Sequence, residues 1–389
     1  MPWKESNRMN ERMKFVVRLE DGERMTDLCK EFGISRKSGY KIWNRYLQKG
    51  PDGLFDESRK PISNPQKTTE LIEKMILRLK DKYPSWGAGK LREYLLRKHP
   101  EANFPSKTTF YNILLKNDLV KKRRKRTYKA RGTNLNSTLN PNDLWCADFK
   151  GQFKMTSGAY CYPLTITDHE SRFLLSCKGL ESVKEGGAFA VFQETFENFG
   201  LPKAIRTDNG VPFASPNAIL GLSKLSVWWL RLGIDIERIT PGCPQENGRH
   251  ERMHLTLKQD LLHDPSNNLL KQQEIFDHFI DYYNNERPHE GIKNSTPDSK
   301  YEKSRKCIGK DLPEIEYPHC DFVRTLALNG KMHIKKCRPF HVGDALIKQP
   351  IGITEVEEGI IRLQFTNIIL GHYDIDKHKF SKMTEIIKV

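Results

Sequence analysis

The sequence predicts a multidomain chain with α-helical units in front, an α/β core in the middle and a small all-β domain at the end. Three observations predict it. Apolar residues recur at helical spacing through the first third, and strand-like and helix-like runs alternate from about residue 140 to 290. Short apolar strands broken by glycine then fill the end of the chain.

With 389 residues, the chain is long enough for two or three domains that each bury a core. Its formal net charge of +16 is unevenly spread. Residues 1–140 hold 33 Lys/Arg against 16 Asp/Glu, whereas residues 141–389 hold the remaining 32 against 33. A basic front on a neutral body is the footprint of polyanion binding, where neutralised phosphates release counterions. The eight cysteines form no C-x-x-C pair and several lie within apolar runs, the pattern of reduced thiols rather than a disulfide framework. The N-terminal stretch lacks an apolar signal core and no run approaches membrane-spanning length. No membrane partner and a cytoplasmic, nucleoid-associated location are therefore expected. A Gly-rich phosphate loop, a Ser/His/Asp elbow and an H-E-x-x-H motif are all missing, which weighs against NTPase, hydrolase and zinc-protease chemistry.

Residues 1–50 read as a helix-turn-helix DNA-binding domain. Met9, Met13, Val16 and Val17 keep helical spacing. Leu28, Cys29 and Phe32 then make one apolar face, Gly33 makes the turn, and Ser35 is an N-cap for a second helix over residues 36–48. Arg36, Lys37 and Lys41 would face a DNA groove, with Ile42, Trp43 and Tyr46 buried or partly buried. Gly39 in mid-helix costs roughly 1 kcal/mol against Ala, which points to a neighbouring helix approaching closely. Residues 51–66, rich in turn formers, read as a linker. Residues 67–120 read as a second helix-turn-helix domain. Leu71, Met75 and Leu79 recur four apart, Leu91 and Leu95 repeat the spacing, and Ser106 caps a helix carrying Phe110, Ile113 and Leu114. Lys107 and Lys116 lie on its outer face. The basic linker 121–139 opens with six consecutive cations, Lys121, Lys122, Arg123, Arg124, Lys125 and Arg126. Such a run is either solvated or pressed on phosphates, and its place between a DNA-reading front and the core favours phosphates.

The core, residues 140–300, starts with strands over 144–150, 160–167 and 173–178. A helix over 183–199, a short strand ending at Asp208, a helix over about 218–232, a strand over 234–238 and a final helix follow. Three antiparallel strands followed by alternating helices and strands give a mixed sheet flanked by helices, the layout of a ribonuclease-H-like fold. In the tail, residues 313–389, the runs 322–328 and 331–336 flank Asn329-Gly330 as a hairpin, and strands around 360–365 and 367–373 complete a small SH3-like barrel. Cys320, His333, Cys337 and His341 lack a second cysteine pair and are not taken for a zinc site.

Three carboxylates carry the chemistry. Asp148 lies inside the apolar strand LWCADFKG, Asp208 closes the strand of AIRTDNG, and Glu251 stands in the first turn of the helix that follows PGCPQENGRH. Cutting or transferring a phosphodiester needs an activated oxygen and relief of charge on the leaving oxygen. Two divalent ions about 4 Å apart supply both, and hard carboxylates are their ligands. On the helix, Met253, Leu257 and Leu261 share one face that should pack on the sheet. Glu251 and Lys258 share another, flanked by His254, so Arg249, Arg252, His254 and Lys258 would contact DNA. Glu246 competes with Glu251 because it sits in the same loop. Asp168, in the turn-like TDHES, reads as structural.

At these residues the chain closely resembles the retroviral-integrase-like DDE transposases of bacterial insertion sequences. LWCADFKG, AIRTDNGVPFAS and CPQENGRHERMHLTLK each look like one of that family's three signature segments, and YNNERPHEGIKNSTP resembles the close of its catalytic domain. The resemblance implies that Asp148, Asp208 and Glu251 are a catalytic, metal-binding triad for two Mg²⁺ or Mn²⁺ ions. It implies recognition of transposon ends by the front helices, metal-dependent hydrolysis at each end, and joining of the freed 3′-OH to target DNA. Its partners would be double-stranded DNA and further copies of the chain in a synaptic homo-oligomer. The 42 residues between Asp208 and Glu251 exceed the spacing of retroviral integrases. Two other readings compete: a nuclease of the same fold that hydrolyses without joining, and a domesticated DNA-binding regulator. A joining assay separates the first, and metal-independent binding without cleavage would mark the second.

Overall fold

The structure, a computed structural model, describes residues 8–57, 67–120, 138–261, 265–335 and 337–389. The expected basic contacts Lys121, Lys122, Arg123, Arg124, Lys125 and Arg126 lie outside the described residues. The chain divides into a first unit within Met1–Thr68 and a second within Thr69–Val389.

In the first unit, helices α1 (Arg8–Glu20), α2 (Met25–Glu31) and α3 (Arg36–Lys49) pack around Phe15, Val16, Leu28, Cys29 and Leu54. Ser35 caps α3 by accepting the N–H of Ser38 at 3.2 Å. A Cβ at Gly39 would stand 2.6 Å from Cys29 Sγ and 2.8 Å from Met25 Sδ, so the glycine admits α2 against α3. Arg36, Lys37 and Lys41 are exposed along α3.

The second unit begins with α4 (Glu70–Lys82), α5 (Ala88–Lys98) and α6 (Lys107–Lys116), closed around Ile76, Trp86, Leu91, Leu95 and Phe110. Leu71 does not join this core as its spacing suggested; it is 71% exposed, and Ile72 and Ile76 turn inward instead. Ser106 caps α6 as expected, accepting from Thr109 N at 3.3 Å.

The central sheet is built from β1 (Leu144–Phe149), β2 (Phe153–Lys154), β3 (Tyr160–Asp168), β4 (Leu174–Leu180), β5 (Ala204–Thr207) and β6 (Asp235–Arg238). β3 pairs antiparallel with β1, β2 and β4, while β1–β5 and β5–β6 are parallel. This is the mixed ribonuclease-H-like sheet that the element order predicts. Helices α7 (Glu185–Phe199) and α8 (Lys224–Arg231) cover one face through Trp145, Ala147, Ile166, Phe192 and Trp229. α9 (Gly248–Leu261) and α10 (Leu269–Asp281) contribute to a second core around Cys161, Cys177, Met253, Leu257 and Phe276. With apolar cover on both faces, the inner strand β1 is apolar at four successive positions rather than alternating. α8 begins six residues later than the sequence suggested, because Ser223 and Ser226 form a capping box.

The three front helices of this unit dock on the turn after α10. Trp86 Nε1 donates to the Tyr282 hydroxyl at 2.8 Å, and Tyr83 donates to Glu286 Oε2 at 2.5 Å. From there, Arg287 reaches Asp260 at 3.3 Å and the Thr256 hydroxyl at 3.3 Å, which ties the turn to α9.

The tail is an antiparallel sheet in the order β13–β12–β11–β10–β7, made of β7 (Phe322–Thr325), β10 (Pro350–Glu357), β11 (Ile360–Phe365), β12 (Ile368–Asp374) and β13 (Lys379–Lys382). The hairpin expected at Asn329-Gly330 does not form. The turn is there, with Gly330 N–H donating to Ala327 O at 3.0 Å, but β7 pairs with β10 and β8 (Lys331–Met332) with β9 (Phe340–His341). Val227 and Leu230 of α8 share the tail's core with Ile351, Leu363 and Phe365.

Candidate carboxylate site

β1 carries Asp148 to the end of a strand that is otherwise buried, and the side chain keeps 27% of its exposure. Burial pushes its carboxyl up to about 7, and the negative charges of Asp208 and Glu251 push in the same direction. Asp148 on β1 therefore feels carboxylates from the residue beyond β5 and from the first turn of α9.

Asp208 stands where parallel strand β5 meets its loop. Gly210 N–H donates to its Oδ1 at 3.1 Å, which turns the chain sharply behind it. Glu251 is exposed on α9. Its competitor Glu246 is 8% exposed and engaged: Oε2 accepts the N–H of Thr240 at 2.7 Å, while its carbonyl accepts from Arg206 at 3.1 Å. Arg206 is itself buried and paired with Glu237. Glu246 is thus committed to holding its loop. Among the described residues, no three His, Cys, Asp or Glu groups are gathered into a ready-made metal cage. Like charges repel one another, and a hard, all-oxygen donor set of this kind fits a divalent cation.

The cations of α9 fall into two groups. Arg252 and Lys258 are exposed on α9, whereas Arg249 is already bound, donating to His169 O at 2.9 Å and Glu170 Oε2 at 3.1 Å. His254, expected at the DNA surface, is instead buried at 6% exposure against β3, with Nε2 2.7 Å from Thr165 Oγ1. Burial lowers its pKa to about 2 and that of His250 to about 3, so both rings are neutral. Its 3.9 Å approach to Asp148 Oδ2 is therefore not an ion pair. His250, which in the sequence reads like His254 as a polar contact beside DNA, is buried as well, and Thr165 and Thr167 escaped notice. The signal was there: histidines at i and i+4 bracket buried Met253, and threonines alternate on β3. Asp168 is structural, accepting from Asn142 N at 2.7 Å, Ser171 N at 2.8 Å and Ser171 Oγ at 2.6 Å.

Comparison with known families agrees with this architecture. Two models described as integrase core domain match residues 139–244 and 232–297, a helix-turn-helix model matches residues 11–62, and a homeodomain-like model matches residues 38–114. Residues 139–297 are thus similar to integrase core domains, and residues 11–114 ahead of them to helix-turn-helix and homeodomain-like domains. The chain's likeness to the integrase-like DDE transposases of insertion sequences is borne out by a relative from such an element. The insertion element IS476 uncharacterized 39.2 kDa protein of Xanthomonas euvesicatoria is 24% identical over 241 residues, 61% of this chain and 66% of that protein. The Gag-Pol polyprotein of baboon endogenous virus (strain M7) is 31% identical over 121 residues, 31% of this chain and 6% of the polyprotein. The chain thus spans just under two thirds of the insertion-element protein and a small part of the viral one. Among solved structures, the HTLV-2 integrase catalytic core domain in complex with magnesium (trimeric form) is 16% identical, with a TM-score of 0.32 over 43% of this chain and 100% of that one. The simian T-cell lymphotropic virus intasome in complex with PP2A regulatory subunit B56 gamma is 13% identical, with a TM-score of 0.37 over 81% of this chain and 98% of that one.

Proposed function

We propose that the chain is a DDE transposase: it binds transposon ends, nicks them by metal-dependent hydrolysis, and joins the 3′-OH ends to target DNA by transesterification. The observation that carries this reading is that parallel strands β1 and β5, paired as far as Cys146 and Arg206, bring Asp148 and Asp208 to the same edge of the sheet, while α9, which bears Glu251, reaches Asp148 through His254 at 3.9 Å. Asp148, Asp208 and Glu251 would hold Mg²⁺ or Mn²⁺, and the ions would supply charge relief at the attacking and leaving oxygens. The chain's own residues do the rest. Glu246 anchors the loop that delivers Glu251, and the sheet fixes Asp148 against Asp208. Lys258, on the exposed side of α9, offers a charge to an adjoining phosphate, and Arg252 offers a second one from another face of the helix. Arg36 and Lys37 at the start of α3, Lys41 further along it and Lys107 at the start of α6 are exposed and would contact end DNA. The helix-turn-helix segments (1–50 and 67–120), the core (140–300) and the tail (313–389) divide the work into end recognition, chemistry and support. We infer that the protein acts on chromosomal DNA in the bacterial cytoplasm as a homo-oligomer, since joining two ends needs more than one copy.

A joining assay tests the proposal, with labelled DNA from the flanks of the gene and a target plasmid. Wild-type protein with Mg²⁺ should give joined product, and Asp208→Asn should bind the ends yet neither cut nor join. Joining by Asp208→Asn would sink the proposal, and cleavage by wild type with no joined product would mark a nuclease instead.

A further inference from the structure

We propose that Thr165, His250 and His254 form a positioning clamp, which sets α9 and its Glu251 against β1 and presents a bare imidazole nitrogen to Asp148. The inference rests on the carboxylate reading given above, and it concerns buried groups for which that reading has no use.

Hydrogen placement follows from counting acceptors. Thr165 is the direct cross-strand partner of Asp148 in the β1–β3 register, so the two side chains share a face. Its Oγ1 lies 3.0 Å from the backbone oxygen of Asp148, 2.8 Å from His250 Nε2 and 2.7 Å from His254 Nε2. A carbonyl oxygen only accepts, so the single hydroxyl hydrogen goes to Asp148 O. The two lone pairs of Oγ1 remain for the imidazoles, and each ring carries its hydrogen on Nε2. Nδ1 of His250 then accepts from the Thr167 hydroxyl at 2.7 Å. Nδ1 of His254 has no such hydroxyl and faces Asp148 Oδ2 at 3.9 Å.

Two consequences follow. Two α9 side chains, one turn apart, converge on one β3 oxygen, which fixes both the height and the rotation of the helix that carries Glu251. His254 commits Nε2 to Thr165 and keeps Nδ1 at 3.9 Å from Asp148 Oδ2, beyond hydrogen-bond reach, which leaves that carboxylate oxygen to a cation. An Nδ1–H at that place would compete for that oxygen. Partners behind a metal ligand commonly change metal affinity 10–100-fold when removed.

The test uses the full chain. ¹⁵N-histidine NMR without metal should show His250 and His254 neutral and protonated on Nε2. Mn²⁺ titration followed by electron paramagnetic resonance should show Thr165→Val binding roughly 10–100-fold more weakly than wild type, with Thr165→Ser close to wild type. Thr165→Val binding Mn²⁺ like wild type, or a hydrogen on Nδ1 of His254, would overturn the clamp. If Thr165→Val fails to fold, the wild-type tautomer alone decides. Asp208→Asn keeps the two ideas apart: unchanged Mn²⁺ binding there overturns the metal site, and the tautomer spectrum still decides the clamp.

Discussion

Asp148 and Asp168 belong to the same sheet, at the ends of neighbouring strands, and burial raises both carboxyls. Their surroundings differ in sign. Asp168 receives three directed donors from Asn142 and Ser171, which offset its burial and pin the turn after β3. Asp148 has one backbone donor, from Phe149, and the charge of Lys150 in its favour, but it also meets two further carboxylates, which add to the cost of its burial. A buried carboxylate ringed by donors holds a fold together. One that faces further carboxylates keeps its proton to higher pH, and a cation would relieve that repulsion.

The largest effect expected from this contrast is on activity. Glu251→Gln should lower strand cleavage and joining at least about a thousandfold, since a lost metal ligand removes several kcal/mol of charge stabilisation. Glu246→Gln, whose amide oxygen still accepts from Thr240, should stay within about tenfold of wild type. Single-turnover cleavage of labelled end DNA measures both, and the reverse ranking would move the third ligand to Glu246.

Stability should separate the two aspartates next. Asp168→Ala leaves the Asn142 and Ser171 donors unpaired and should cost about 2–4 kcal/mol in denaturant unfolding. Asp148→Asn in metal-free protein should instead stabilise by roughly 1–3 kcal/mol at pH 8. The sign follows from the shift. The folded carboxyl is raised to about 7, so stability is lost as pH rises from the unfolded value near 3.9 through the folded one. The gain in Asp148→Asn should accordingly fade below about pH 4. Equal losses in both variants would erase the contrast.

The smallest effect belongs to the rim. Lys258→Ala should weaken end binding severalfold and lower the salt slope by about 1, without changing sequence preference. Titrations at several salt concentrations check this.

Much of the site was legible in the sequence because its signals are local. The apolar run around Asp148 marks an inner strand, and the 3.6-residue period of Met253 and Leu257 places α9. Non-local partnerships were not legible. His254 looked like a polar neighbour of DNA because the hydroxyl that buries it, Thr165, is 89 residues away. The Asn329-Gly330 turn suggested a hairpin, yet the partner of β7 is the later strand β10. Leu71 fits a four-residue spacing as well as Ile72 does, and only the packing of α5 and α6 decides between them.

The central claim is that Asp148, Asp208 and Glu251 form one cation site. Anomalous scattering from crystals soaked in Mn²⁺ tests it most directly. Mn²⁺ should lie between Asp148 and Asp208 with Glu251 turned toward it, and it should vanish in Asp148→Asn. Mn²⁺ bound elsewhere, or unmoved by that substitution, would contradict the account.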